Sequence, residues 1–176
     1  MRDAAYVSMP ISEIAAGDRR LDAEVFLSDG FVFRREIARS GRKDPKLGEL
    51  ARIWQPSRLK GIRVEPRHGV PFLAATQAFD IWPTPRKWLA ASKTPDLARR
   101  YVDPDWILVT CSGTVGNAIV TYSAHANRVI SHDLLRVEID NPETRSYVYA
   151  FLRTRFGRAM MRGSHYGNVI KPGLYA

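Results

Sequence analysis

Apolar positions along this chain fall into short pieces rather than one long periodic stretch. Residues 106–111 (WILVTC) form an apolar, β-branched run that starts after Pro104-Asp105 and stops at Ser112-Gly113, which predicts a buried strand. In residues 134–139 the apolar Leu135, Val137 and Ile139 alternate with Arg136 and Glu138. That strand is expected to pack one face and wet the other. Segments 47–54, 70–76, 118–122 and 128–131 are further short pieces of this kind.

Helices are predicted mainly by their starts. Asn141-Pro142-Glu143 supplies an N-cap, a proline at the first helical position and an acid in the first turn. After it Tyr147 and Phe151, and Val148, Leu152 and Phe156, recur at four-residue steps, and Met160 continues the second row. Gly157 is expected to kink this helix and Gly163 to end it. Thr94-Pro95-Asp96 repeats the N-cap logic, and residues 10–16 read as a short helix ended by Gly17. Between Phe26 and Ala38 the apolar spacing mixes helical and strand periods, and Gly30 would interrupt a single helix. Residues 40–45 (SGRKDP) read as a surface loop. The pattern predicts an α/β chain of the α+β kind: a small mixed-strand sheet domain with flanking helices, the C-terminal one packed on the strands.

A length of 176 residues suits one domain. No apolar run approaches a membrane span and the N-terminus lacks the apolar core of a signal peptide, so a soluble, cytoplasmic protein without a membrane is expected. A single cysteine excludes an internal disulfide framework and a cysteine zinc site. His68, His125, His132 and His165 have no metal-binding spacing, and no metal is expected. The formal charge of +9 and pI near 10.0 change the picture most. On a folded domain they point to nucleic acid, because basic side chains release counterions condensed on phosphates. Surface solubility and an acidic protein partner are the plainer readings.

Candidate chemistry is sparse. Residues 110–117 (TCSGTVGN) run from a strand into Gly-x-x-Gly, whose amides can meet a phosphate. The spacing favours instead a structural turn that needs positive φ at Gly113 or Gly116. Cys111 with His132 and Asp133 is a conceivable nucleophile set, but a thiol ending an apolar strand is more often inert. On a strand, His132 and Asp133 would also point to opposite faces. Paired carboxylates of a metal-dependent nuclease are missing. The basic residues are grouped, by contrast. Arg58, Lys60, Arg63 and Arg67 precede the VPFLAAT segment, and Arg86 and Lys87 follow it, and the loops add Gln55, Gln77, Thr76, Asn117 and Trp82. Arginine and lysine suit guanine edges and phosphates, while glutamine and asparagine suit adenine edges. Arg155, Arg158 and Arg162 form a positive helix row that a solvated face explains equally well.

The order of these pieces resembles a known family. Residues 20–26 (RLDAEVF), 47–51 (LGELA), 69–76 (GVPFLAAT), 105–116 (DWILVTCSGTVG) and 131–137 (SHDLLRV) are similar to RLDAEYF, KLGDLA, GVPFLRATD, GDILVTRSGTVG and SHDLIRV. Those are successive motifs of the target recognition domain in the specificity subunit of type I restriction–modification systems. Residues 147–153, Phe156-Gly157 and 166–170 (YGNVI) resemble its closing helix and YGSVI strand. The resemblance covers about residues 20–171. It implies a helical lead-in over 1–19, one recognition domain over 20–171, and a tail over 172–176 where a spacer helix would begin.

It also implies a non-catalytic, sequence-specific binder of double-stranded DNA. Such a subunit directs a partner methyltransferase (modification) subunit to adenine and a restriction subunit to unmodified DNA. This chain would hold no cofactor, S-adenosylmethionine, ATP and Mg belonging to the partner subunits, and a homodimer is left open. Base contacts in the family lie between its motifs, here in residues 55–68 and 77–100. The expected DNA-binding set is therefore Gln55, Arg58, Lys60, Arg63, Arg67, Gln77, Arg86 and Lys87, with Ser112, Thr114 and Asn117 from the glycine turn. Two departures stand out. A whole subunit has two recognition domains and long spacer helices, so this chain is expected to be a half-subunit or a fragment. The family's arginine after Val-Thr is Cys111 here, which would remove a charge from the turn. The alternative reading is a degenerate or truncated module that docks a methyltransferase partner without selecting DNA.

Overall fold

Strand β5 (Ile107–Thr110) is buried along its whole length, and the architecture follows from that fact. A strand buried on both faces needs a layer on each side. β5 lies inside an antiparallel sheet of order β1-β8-β5-β6, where β1 is Arg52–Trp54, β6 is Ala118–Val120 and β8 is Leu134–Glu138. Ile107 and Val109 join Leu135, Val137 and Ile139 on one face, against Val148, Leu152 and Met161 from the C-terminal helices. Leu108 and Leu134 face the other way, against Leu73, Ala78, Val102 and Ile130. Those residues belong to a second layer, a sheet of order β2-β4-β3-β7 and the segments around it. Here β2 is Arg63–Val64, β3 is Val70–Leu73, β4 is Lys87–Leu89 and β7 is Val129–Ile130. β3 pairs antiparallel with β4 and parallel with β7. The layers thus run helices, sheet, sheet. This computed structural model describes residues 8–16, 23–42, 45–163, 165–166 and 169–170.

The helical side is built from α3 (Asp29–Arg39), α6 (Pro142–Arg153) and α7 (Arg155–Gly163). Asn141 caps α6 as its sequence announces, its side-chain oxygen accepting from the Thr144 N–H at 2.8 Å. The expected long helix breaks at Thr154 and not at Gly157. Thr154 Oγ1 donates to the Phe151 carbonyl and accepts from the Gly157 N–H, ending one helix and capping the next. Gly157 makes the tight join feasible, since a Cβ there would lie 2.3 Å from the Phe151 oxygen. Gly30 likewise does not interrupt a helix. It lies in the first turn of α3, where a Cβ would lie 2.3 Å from the Ala159 oxygen, so its bareness lets α3 and α7 touch. Phe33 stacks on Phe156 across that contact, with ring centroids 4.5 Å apart. Short helices α1 (Ile11–Ala16), α2 (Ala23–Phe26), α4 (Leu47–Leu50) and α5 (Ala75–Ala78) complete the described α-helices.

Several expectations change. Segments 47–54 and 70–76 are each split between a helical turn and a strand. Thr94-Pro95-Asp96 starts no α-helix: Thr94 donates back to the Ala90 carbonyl, and Asp96, at φ +50°, opens only the 3₁₀ turn Leu97–Arg100. The polar face of β8 is not wet at Arg136, which the second sheet covers and which is fully buried, while Glu138 is half-buried and pairs with the exposed Arg52. The closing strand appears as β9 (His165–Tyr166) paired antiparallel with β10 (Val169–Ile170). Gly17, the 19/20 boundary and the tail over 172–176 lie outside the described residues. Among the described residues no helix is long and apolar enough to cross a membrane.

Arg136 holds the layers in register through carbonyls. Its guanidinium donates to the oxygens of Ile130 (2.8 Å), Ser131 (2.9 Å), Leu134 and Arg100 (3.4 Å). Burial, then the charge of Arg100, pushes its pKa down to about 9, so it stays a cation at neutral pH. Arg100, also fully buried, donates to Pro95 O, Ser57 O and Ser57 Oγ. Replacing Arg136 with Met keeps most of the volume but strands these acceptors. The expected cost is about 3 kcal/mol in urea unfolding; a loss below about 0.5 kcal/mol would mean that the carbonyls need no such donor.

Candidate nucleic-acid interface

Where β3 ends and β4 begins, the second sheet opens into a cleft of about 300 Å³. Phe72, Leu89 and Leu59 give it apolar lining, and the exposed cations Arg63 and Lys87 stand at its sides. Backbone pairing fixes both cations, since Arg63 lies opposite Leu89 and Lys87 opposite Phe72. The third side is the turn Ser131-His132-Asp133 that joins β7 to β8.

That turn is tied down from several directions. Asp133 accepts from Ser112 Oγ through one carboxylate oxygen and from Ser131 Oγ through the other, both at 2.7 Å. Burial alone would raise its pKa. The two hydroxyls, His132 and the charge of Arg58 outweigh that, and the net shift is downward. His132 Nδ1 accepts from the Leu59 N–H at 3.4 Å, and its Nε2 lies 3.6 Å from Asp133. The expectation that His132 and Asp133 face apart does not hold, because they occupy a turn and not a strand. Gln55 Nε2 donates to the His132 carbonyl at 2.7 Å and approaches Cys111 Sγ at 3.1 Å.

This geometry gives no support to nucleophilic chemistry. Ser112 donates to a carboxylate and not to a histidine ring. Cys111 is fully buried, and burial, then the negative charge of Asp133, pushes its thiol up to about 11. The glycine turn is structural. Gly113 and Gly116 have φ of +68° and +91°. The Gly116 N–H donates to the Thr110 carbonyl and the Asn117 N–H to Thr110 Oγ1, which takes both amides away from a phosphate. Among the described residues no group of three His, Cys, Asp or Glu side chains is placed to hold a metal.

The expected DNA-binding residues thus divide into two kinds. Arg58, Lys60, Arg63, Arg67, Arg86, Lys87 and Thr114 are exposed. Only Arg63 and Lys87 of these line the cleft, while Arg58 acts on it through the field at Asp133. Gln55 and Ser112 position its turn, and Asn117 is half-buried in the glycine turn. Gln77 is buried: its Oε1 accepts from the Ala74 N–H and its Nε2 donates to the Thr84 carbonyl, so its amide shapes the loop before β4 and reads no base from there. Sequence reasoning weighed Ser131, His132 and Asp133 only for catalysis or as scaffold, though an SHD turn after a buried strand was a visible signal. On α7, Arg155 and Arg162 are exposed and Arg158 is half-buried, with the Arg155 guanidinium 4.6 Å over Phe156.

Two measurements test this electrostatic picture. A carboxylate whose folded pKa is depressed stabilises the fold above its unfolded pKa of about 3.9, and the benefit disappears as pH falls through the folded value. Asp133→Asn should therefore be less stable than wild type at pH 7, and its urea midpoint should fall less between pH 5 and pH 3. Parallel curves would remove Asp133 from the account. Iodoacetamide at pH 7.5 should leave Cys111 unmodified in the folded protein and alkylate it in urea, by intact mass; rapid alkylation of the folded protein would contradict a buried, protonated thiol.

No protein-family model and no curated protein sequence matches the chain. Solved structures do match by fold. The crystal structure of an HsdS subunit from Thermoanaerobacter tengcongensis superposes on 87% of this chain with a TM-score of 0.50 and 20% identity. A structure of a type I restriction–modification system solved for its assembly and conformational transition covers 92% of this chain, at 21% identity and a TM-score of 0.48. The type I restriction–modification S subunit from M. genitalium covers 79%, at 14% identity and a TM-score of 0.39. The match spans 40%, 42% and 33% of those chains respectively, well under half of each. The two sheets and flanking helices of this chain thus have the fold found in part of an HsdS subunit.

Proposed function

We propose that this chain is a recognition module for double-stranded DNA, acting as the specificity component of a type I restriction–modification system. The observation that carries the reading is the open cleft with Arg63 and Lys87 at its sides, on a fold shared with part of an HsdS subunit. Its one carboxylate, Asp133, is bonded by serine hydroxyls and not by Arg63 or Lys87, which leaves those two cations for phosphate. The excess of +9 suits a polyanion. In this reading Arg63, Lys87 and the exposed Arg58, Lys60, Arg67 and Arg86 set register on the backbone, and base edges are met by side chains of the loops between strands. The chain performs no chemistry. Modification and restriction subunits bring S-adenosylmethionine, ATP and Mg, and their choice of site comes from this module.

Selection from a randomised duplex library at about 0.15 M salt, where non-specific binding is weak, should return a short consensus. Arg63→Ala with Lys87→Ala should then weaken binding to that duplex and reduce the slope of log K against log salt by about 2. Salt-sensitive binding with no consensus would overturn the specificity role and favour a module that docks a methyltransferase subunit. An unchanged slope in the double variant would move the phosphate contacts away from the cleft.

A further inference from the structure

The loop between α5 and β4 holds two large apolar side chains in water. Ile81 is 84% exposed and Trp82 is 77% exposed, side by side in sequence. An exposed apolar pair on a slack loop would mean little, but this loop is anchored. Four consecutive carbonyls each accept a hydrogen bond from a side chain. Tyr122 Oη donates to Ile81 O, Thr84 Oγ1 to Trp82 O at 3.0 Å, Arg128 to Pro83 O at 2.7 Å, and Gln77 Nε2 to Thr84 O at 3.2 Å. Pro83 is buried beneath the tip. Arg128 also donates to the Ala124 carbonyl, and the fully buried His125 presents Nε2 to Ala78 O at 2.9 Å, so the supports are themselves fixed. The backbone of the tip is turned inward and bonded, which leaves Ile81 and Trp82 as its outward groups.

The surroundings select the occupant. The tip leads through Thr84 and Pro85 into Arg86 and Lys87, both exposed, and Lys87 lines the cleft. Four residues separate Trp82 from Lys87, and their Cα atoms lie at most about 18 Å apart along extended chain. The apolar pair and the cleft therefore fall within one ligand footprint at the same end of the second sheet. Asp80 is the one acid in the tip, outnumbered by Arg86 and Lys87 on the cleft side. A neutral protein surface would use the apolar pair and leave those cations unmatched. Duplex DNA uses both, phosphates meeting the cations while base faces or thymine methyls meet an apolar wedge.

We infer that Ile81 and Trp82 form an apolar wedge that contacts the bases of DNA held by the cations of the cleft. This inference rests on the DNA-binding reading above. Its test uses the full chain and the duplex consensus from the library, with binding followed by fluorescence anisotropy at several salt concentrations. Ile81→Ala with Trp82→Ala should weaken binding at least tenfold and leave the salt slope unchanged, because no phosphate contact is lost. Trp82→Phe should restore most of the affinity. Both positions are exposed, so thermal unfolding should match wild type. Failure is separable from failure of the parent reading. If wild type binds the duplex and the double variant binds equally well, the wedge is overturned and DNA binding stands. If the double variant abolishes a wild-type dimer on gel filtration but not DNA binding, the pair is a protein contact and the wedge is again overturned. If wild type binds no duplex, both fall.

Discussion

The buried guanidinium of Arg136 is the constraint on which the cleft depends. It sits in the central sheet, on the face that meets the second sheet, and gathers carbonyls from the end of β7, the following turn, the start of β8 and the 3₁₀ turn at Arg100. No apolar residue can do that, because only a planar cation offers several donors diverging from one point. Arg100 extends the arrangement to Ser57, at the head of the segment that carries Leu59, Gly61 and Arg63. Two of the three sides of the cleft are therefore set by two interior cations. The arrangement is costly. Both guanidiniums are fully buried and bonded to carbonyls and one hydroxyl, and burial together with mutual repulsion lowers the pKa of Arg136. Apolar packing would be the cheaper way to join two sheets, so the cations act in fixing the turns that border the cleft.

From those anchors the polar residues separate by task. Amides and hydroxyls that look like base readers in the sequence are engaged within the protein: Gln55 holds the His132 carbonyl, Gln77 closes the loop before β4, and Ser112 completes the bonding of Asp133. Charges that look like a diffuse basic surface are outside, and two of them flank the cleft. Buried polar groups must find partners, whereas lysine and arginine heads leave water only when something compels them. Short polar side chains in tight loops are thus taken up by the loops themselves, and long cations remain exposed.

The same rule explains what was legible in the sequence. The buried run at β5, the Asn141 cap, the end of α7 and the positive φ of Gly113 and Gly116 were all local, decided by a few adjacent residues. Arg136 was misread because alternation with Leu135 and Val137 reports that β8 has two environments without saying what covers the second. Only the tertiary placement of β3 and β7 decides that. Gly30 and Gly157 failed similarly. Each looks like a break along the chain and proves to be a point of close approach, to another helix at Gly30 and to the preceding turn at Gly157. Thr94-Pro95-Asp96 carries a sound start signal but has no apolar row behind it to bury, and a helix that packs nothing gains too little to propagate. For the cleft, clustering of cations in sequence could not say that, of the expected cations, only Arg63 on β2 and Lys87 on β4 line it.

Position 111 is the place where the chain departs from the motif it resembles, and the fold says what occupies it. An arginine expected after Val-Thr suggests that Cys111 strips a cation from the glycine turn. In the fold, however, the Cys111 side chain points into the core with Ile107, Val109 and Leu135, touched by the Gln55 amide and roofed by the His132 carbonyl. The thiol is thus an interior group and adds nothing to the outward charge of the turn. Gln55 and Cys111 together occupy the place behind the His132 carbonyl, so variation at one should be read with the other. The exposed positive charge at the cleft is that of Arg63 and Lys87.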